Sequence, residues 1–141
     1  MQVTLARKND DYLFHGIGKA GIAIPIDNTS EEGPQGASPM ELPLMGVGAC
    51  SAIDVVSILK KQRQQIDDYT MEVNGTRHEV EGAKPFKAVE VVIKLEGQID
   101  PAKALRAAEL SFTKYCSVSL TFEPQVPVGY RIELNGSPIS E

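Results

Sequence analysis

The chain has 141 residues, 42% hydrophobic and 23% charged, and 14 Lys and Arg against 19 Asp and Glu leave a net charge of −5. That length suits one compact domain, residues 1–141, able to hold a core without disulfides or metal. The acidic balance, with no block of lysine or arginine, argues against nucleic acid or an anionic membrane as partner.

Residues 1–27 read as short strands. Val3 and Leu5 alternate with Thr4 and Ala6, and Tyr12 and Phe14 alternate with Leu13 and His15. Ile22, Ile24 and Ile26 form a third period-2 run, with Gly16 and Gly18 predicted in a turn before it. The first residues, Met1 to Arg7, lack the apolar core of a secretory signal. Asp27 to Gly36 reads as a polar loop. A helix should then start sharply, with Ser38 as N-cap, Pro39 at the first helical position and Glu41 completing a capping box. It is predicted to run to about Gln64, and Lys60, Lys61 and Arg63 complement the negative end of its dipole. Pro43 predicts a bend in the second turn. Gly46, Gly48, Ala49 and Ala52 invite close approach by another backbone. A helix so apolar through its first half should be buried. Its uncharged run, Leu42 to Ile53, is too short to span a bilayer. With no signal and no span, a cytoplasmic protein is expected, where thiols are kept reduced.

Tyr69–Val80 and Phe86–Leu95 are predicted strands joined by a hairpin loop at Gly82–Pro85. The second puts Val89, Val91, Ile93 and Leu95 on one face. Another helix should start at Asp100-Pro101, a cap followed by proline. Leu105, Ala108, Phe112 and Cys116 follow a helical stripe if that helix persists. A last strand, Tyr130–Leu134, closes on the Asn135-Gly136 turn. The class is α+β: a mostly antiparallel sheet with two longer helices.

Cys50 and Cys116 are the only cysteines. A peroxidatic thiol needs a thiolate, an apolar slot and donors to steady the leaving oxygen. A second thiol then condenses with the sulfenic acid to give a disulfide. Two buried cysteines acting as small hydrophobes fit the same spacing. Cys50 lies too deep in its helix for the N-terminal dipole, so activation requires an arginine. Arg7, Arg63, Arg77, Arg106 and Arg131 are the candidates. Glu41 reads as the partner of Ser38 or as the group holding that arginine. Asp54, four residues after Cys50, shares its helix face and is expected to pair with a base or to line a wet edge. His15 and His78 are too few and too separated for a metal site, so neither metal nor cofactor is expected. No phosphate-binding loop, dinucleotide fingerprint or nucleophile elbow occurs.

At Gly36-Ala37-Ser38-Pro39-Met40-Glu41-Leu42, Gly48-Ala49-Cys50-Ser51-Ala52-Ile53-Asp54-Val55-Val56, the basic helix end and Lys114-Tyr115-Cys116-Ser117-Val118-Ser119, the chain resembles the OsmC/Ohr family, and within it the YhfA-like branch. The resemblance covers nearly the whole chain in element order. It implies an intertwined homodimer with two sites at the subunit interface, and reduction of organic hydroperoxides in oxidative-stress defence. It also implies recycling by an external thiol, lipoyl-type in the Ohr branch. By position Cys50 looks like the peroxidatic cysteine and Cys116 like the resolving one, with Glu41 and Arg7 as the candidate activating pair. Two positions depart from the peroxidase pattern. The glutamate expected directly after the proline is Met40 here, with Glu41 about 100° further round the helix. The early glycine-rich loop offers Lys19, which lacks the bidentate fork of arginine. Three functions compete: a hydroperoxide reductase, a non-catalytic protein binding a hydrophobic small molecule against Met40, Met45, Val47 and Ile53, and a redox sensor whose dimer responds to oxidation.

Overall fold

The computed structural model describes residues 1–141. The chain forms two compact units, Met1–Pro43 and Leu44–Glu141.

In the first unit, β1 (Thr4–Arg7), β2 (Phe14–Ile17) and β3 (Ala23–Ile26) form an antiparallel sheet in that order. Gly16 pairs with Leu5 on one side and Ile24 on the other, so it belongs to the sheet and not to the predicted turn. The turn lies at Lys19-Ala20, where the Gly21 N–H donates to the Gly18 carbonyl at 3.1 Å. The following loop folds back on β3 through an Ile26–Ala37 bridge. The Asp27 carboxylate accepts from the N–H groups of Asn28 at 2.8 Å and Gln35 at 2.9 Å, which gives the loop its own hydrogen bonds.

Helix α1 (Glu41–Lys61) carries the chain into the second unit. Ser38 to Met40 form its entering turn, with the Glu41 N–H donating to the Ser38 carbonyl at 3.0 Å. Pro43 therefore sits in the first turn, where N–H groups have no intrahelical partner, and its missing donor removes no helical bond. The helix stops short of Gln64 because Arg63 adopts a left-handed conformation, φ 56°. Val47, Gly48, Ser51, Val55 and Leu59 form its buried face. The expected all-round burial does not occur: Met45 is 54% exposed and Ile53 70% exposed. At 21 residues the helix is long and apolar enough, by length and composition alone, to cross a membrane, contrary to the estimate from its uncharged run. The glycines admit side chains rather than a second backbone, Gly46 that of Val118 and Gly48 those of β4. A Cβ on Gly48 would lie 3.0 Å from both Met71 Sδ and Val73 Cγ2.

Strands β4 (Gln65–Arg77), β5 (Phe86–Gln98), β6 (Val128–Leu134) and β7 (Ser137–Ile139) form the second sheet in that order. β4 and β5 make an antiparallel hairpin. Its tip is tighter than predicted: Glu81 and Gly82, at φ 50° and 87°, turn the chain between the bridged residues Val80 and Ala83. β5 and β6 are parallel, from Val89 opposite Val128 to Leu95 opposite Leu134. A parallel neighbour requires a crossover. Here it is α2 (Pro101–Leu110), a π-helical turn (Ser111–Tyr115) and α3 (Ser117–Phe122). The architecture is thus α+β, with three helices and a mixed sheet. The inward face of β5, Val89, Val91, Ile93 and Leu95, is at most 1% exposed and packs in one core with Val47, Val55 and Leu59 of α1 and with Ala104, Ala107 and Ala108 of α2.

Candidate active site at the paired cysteines

One helical turn separates Cys50 from Asp54, which places both on the same face of α1, half-buried. Cys116 comes from the crossover. The helical stripe that was expected to reach it breaks first, because α2 widens into the π-helical turn and Cys116 is extended, at φ −72° and ψ 94°. Its N–H closes that turn on the Ser111 carbonyl at 2.7 Å. Its side chain caps α3: the Ser119 N–H donates to Sγ at 3.5 Å and the Ser119 hydroxyl at 3.0 Å. The result is a fully buried thiol directed at α1. The two sulfurs and a carboxylate oxygen of Asp54 all lie within 4.8 Å of one another. Both thiols are free.

Ser111 ties the crossover to α1. It is fully buried, its hydroxyl donates to Asp54 Oδ2 at 3.0 Å, and it lies 3.5 Å from the Ser51 carbonyl. Asp54 thus takes a hydroxyl as partner rather than the expected base. The ion pairs are Glu72–Lys94 and Arg106–Glu109, neither of which involves the cluster. Arg77 is used on the Lys84 carbonyl at 2.6 Å. Burial is the main influence pushing the Cys116 thiol above its ordinary range. The hydrogen bonds from Ser119 oppose it, and the neighbouring Cys50 adds to the rise.

Asp54 also lines an open groove of about 610 Å³, with Ile58, Lys61, Leu110 and Tyr115 among its walls. This is the wet edge expected of it. The proposed apolar wall does not form as one surface, since Val47 is fully buried whereas Met45 and Ile53 are exposed. An apolar cavity of about 520 Å³ lies instead in the first unit, among Leu5, Tyr12, Phe14, Ile26, Pro39 and Leu42.

The other two site candidates have local partners within the first unit. Glu41 Oε2 accepts from the Ser38 N–H at 2.8 Å, which is one half of the predicted capping box. The Glu41 N–H donates to the Ser38 carbonyl, and the regular helix starts at Glu41 rather than at Pro39. Arg7 Nε donates to the Asp11 carbonyl at 2.9 Å, and its terminal nitrogen donates to the Asp10 carbonyl. Neither His15 nor His78 joins the cysteine cluster. The sequence did place Asp54 beside Cys50. The parts played by Ser111 and Ser119 were not foreseen, because they depend on the π-helical turn and the break at Cys116.

Residues 31–131 match the family described as OsmC-like protein. Protein YhfA of Escherichia coli strain K12 is 38% identical over 122 residues, which span 86% of this chain and 89% of that protein. The crystal structure of a hypothetical protein from Aquifex aeolicus VF5 superposes with a TM-score of 0.79 at 28% identity, over 95% of this chain and 96% of that one. The organic hydroperoxide resistance protein OhrB of Bacillus subtilis shares the fold, with a TM-score of 0.68 at 20% identity over 94% of this chain and 96% of that one.

Proposed function

The chain belongs to the OsmC-like protein family, and on that premise we propose that it is a cytoplasmic, homodimeric, thiol-dependent hydroperoxide reductase working through Cys50 and Cys116. One observation carries this reading: two free thiols, far apart in sequence, lie within 4.8 Å of each other and of Asp54, which lines an open groove. Cys50 is the more accessible sulfur and serves as the attacking thiol. Its thiolate takes the distal oxygen of the hydroperoxide, the O–O bond breaks, and the alkoxide leaves and is protonated to the alcohol. Cys50 becomes a sulfenic acid. The Cys116 sulfur then attacks it, an S–S bond forms, and hydroxide leaves with the Cys116 proton as water. Asp54, beside both sulfurs and oriented by Ser111, accepts that proton in passing. An external dithiol restores both thiols by exchange and leaves as its own disulfide. Ile58, Leu110 and Tyr115 in the groove wall suit an organic rather than an inorganic peroxide. Arg7 is the activating cation that the family resemblance implies; its guanidinium here donates to the Asp10 and Asp11 carbonyls.

Intact mass under non-reducing conditions tests this. One equivalent of an organic hydroperoxide should remove about two mass units per chain within minutes. Cys50→Ser should abolish the change, Cys116→Ser should stop at a trappable sulfenic acid, and Arg7→Ala should slow both steps. If both thiols stay reduced, the reading passes to a binding protein for an apolar small molecule, for which the Leu5–Phe14–Leu42 cavity is the candidate.

A further inference from the structure

We propose that Cys50, Asp54 and Cys116 form a binding site for a thiophilic divalent cation such as Zn²⁺, with the fourth coordination position open to the groove. This does not rest on the peroxidase reading, since it requires only the arrangement of the three side chains.

Donor type comes first. Two sulfurs and one carboxylate oxygen make a soft, anionic set that suits zinc rather than calcium or magnesium. Distance comes second. Zinc–sulfur bonds of about 2.3 Å in a tetrahedron put sulfurs about 3.8 Å apart. All three donor atoms are already within 4.8 Å of one another, so side-chain adjustment of under about an ångström closes the shell. Cys50 and Asp54 are one turn apart on a helix, and Cys116 is fixed from the opposite side by the break before α3.

The supporting layer is also built. Metal-binding carboxylates and thiolates are usually held by hydrogen bonds from behind. Ser111 donates to Asp54 Oδ2 at 3.0 Å, and Ser119 donates to Cys116 Sγ through its hydroxyl at 3.0 Å and its N–H at 3.5 Å.

Charge is the third argument. The half-buried Asp54 forms no ion pair, and neither Lys94 nor Arg106, the two cations that do, reaches the cluster. In the metal-free chain Asp54 is the anion of the cluster, and a divalent cation would balance the two thiolates that form as it binds. Binding releases the two thiol protons to solvent. Lys61, in the same groove as Asp54, offsets part of the remaining negative charge. Asp54 lines the groove, which offers an entry path from solvent.

The test uses the full, reduced chain. One equivalent of Co²⁺ should give a near-ultraviolet thiolate-to-metal charge-transfer band, lost in Cys50→Ser and in Cys116→Ser. Competition against a chromophoric chelator should give one Zn²⁺ per chain, with Asp54→Asn weakening it by at least about tenfold while both thiols remain. Equal affinity in Asp54→Asn would reduce the site to adventitious dithiol chelation and overturn the proposal, as would the absence of a charge-transfer band. If Asp54→Asn does not fold, X-ray absorption of the zinc-loaded parent decides the matter. Two sulfurs at about 2.3 Å with two oxygen donors are expected. Four light donors, or four sulfurs shared between chains, would sink it. Failure of the hydroperoxide assay leaves the cobalt band unaffected, so the two readings fail separately.

Discussion

At the scale of single residues, the site is decided by groups that donate to sulfur and to carboxylate. Ser119 is the clearest case. Its hydroxyl is the strongest influence lowering a Cys116 thiol that burial holds up. Because the native thiol stays protonated past the ordinary value of 9.0, Cys116 becomes a thiolate only as the pH rises further. Ser119→Ala removes a hydrogen bond to the charged form and should displace that transition further upward. Alkylation of Cys116 at fixed mildly alkaline pH, in a Cys50→Ser background, should slow roughly tenfold. A profile that does not move would show the 3.0 Å contact to be without effect on the thiolate. The pairing of the cysteines was legible only through the family resemblance, because two inert core thiols fit the same spacing. Asp54 was half-legible: helical spacing put it beside Cys50 but could not reveal its hydroxyl partner across the chain. Ser111 carried no signal, since nothing local marks a serine as the contact point of two distant segments.

At the scale of elements, caps and periodicity were read well and interruptions poorly. Asp100 is the N-cap of α2, and its Oδ1 accepts from the Ala102 N–H at 2.8 Å. Asp100→Ala should cost about 1 kcal/mol, measured by urea unfolding, because it orphans a helix-end donor. Cap residues declare themselves locally, as do Val89, Val91, Ile93 and Leu95, whose alternation matches their burial. The widening of α2 into the π-helical turn has no such signature. Leu105, Ala108, Phe112 and Cys116 keep a helical period straight through it. Only the tertiary demand for Ser111 and Cys116 to face α1 distinguishes the two courses. The parallel pairing of β5 and β6 was equally silent, because strand direction is set by the length of the crossover rather than by any residue in either strand.

At the scale of the molecule, the exposed stripe Met45, Ala49 and Ile53 on α1 supports the homodimer proposed for this chain. Sedimentation should give about twice the chain mass of 15.3 kDa. Ile53→Lys should raise the dissociation constant at least about 100-fold, because a symmetric interface would lose the contact twice and desolvate a charge at each site. A monomeric parent would end that reading. The two thiols also matter to the chain when it is unfolded. Cys50 and Cys116 are 66 positions apart, yet their sulfurs lie within 4.8 Å of each other in the folded state. Bonding them would tie nearly half of the polymer into a ring. By chain-entropy reckoning, the unfolded ensemble would lose freedom worth about 4 kcal/mol. An oxidised chain would then survive heat and proteolysis that a reduced one does not, so the redox history of its surroundings would be recorded in its lifetime.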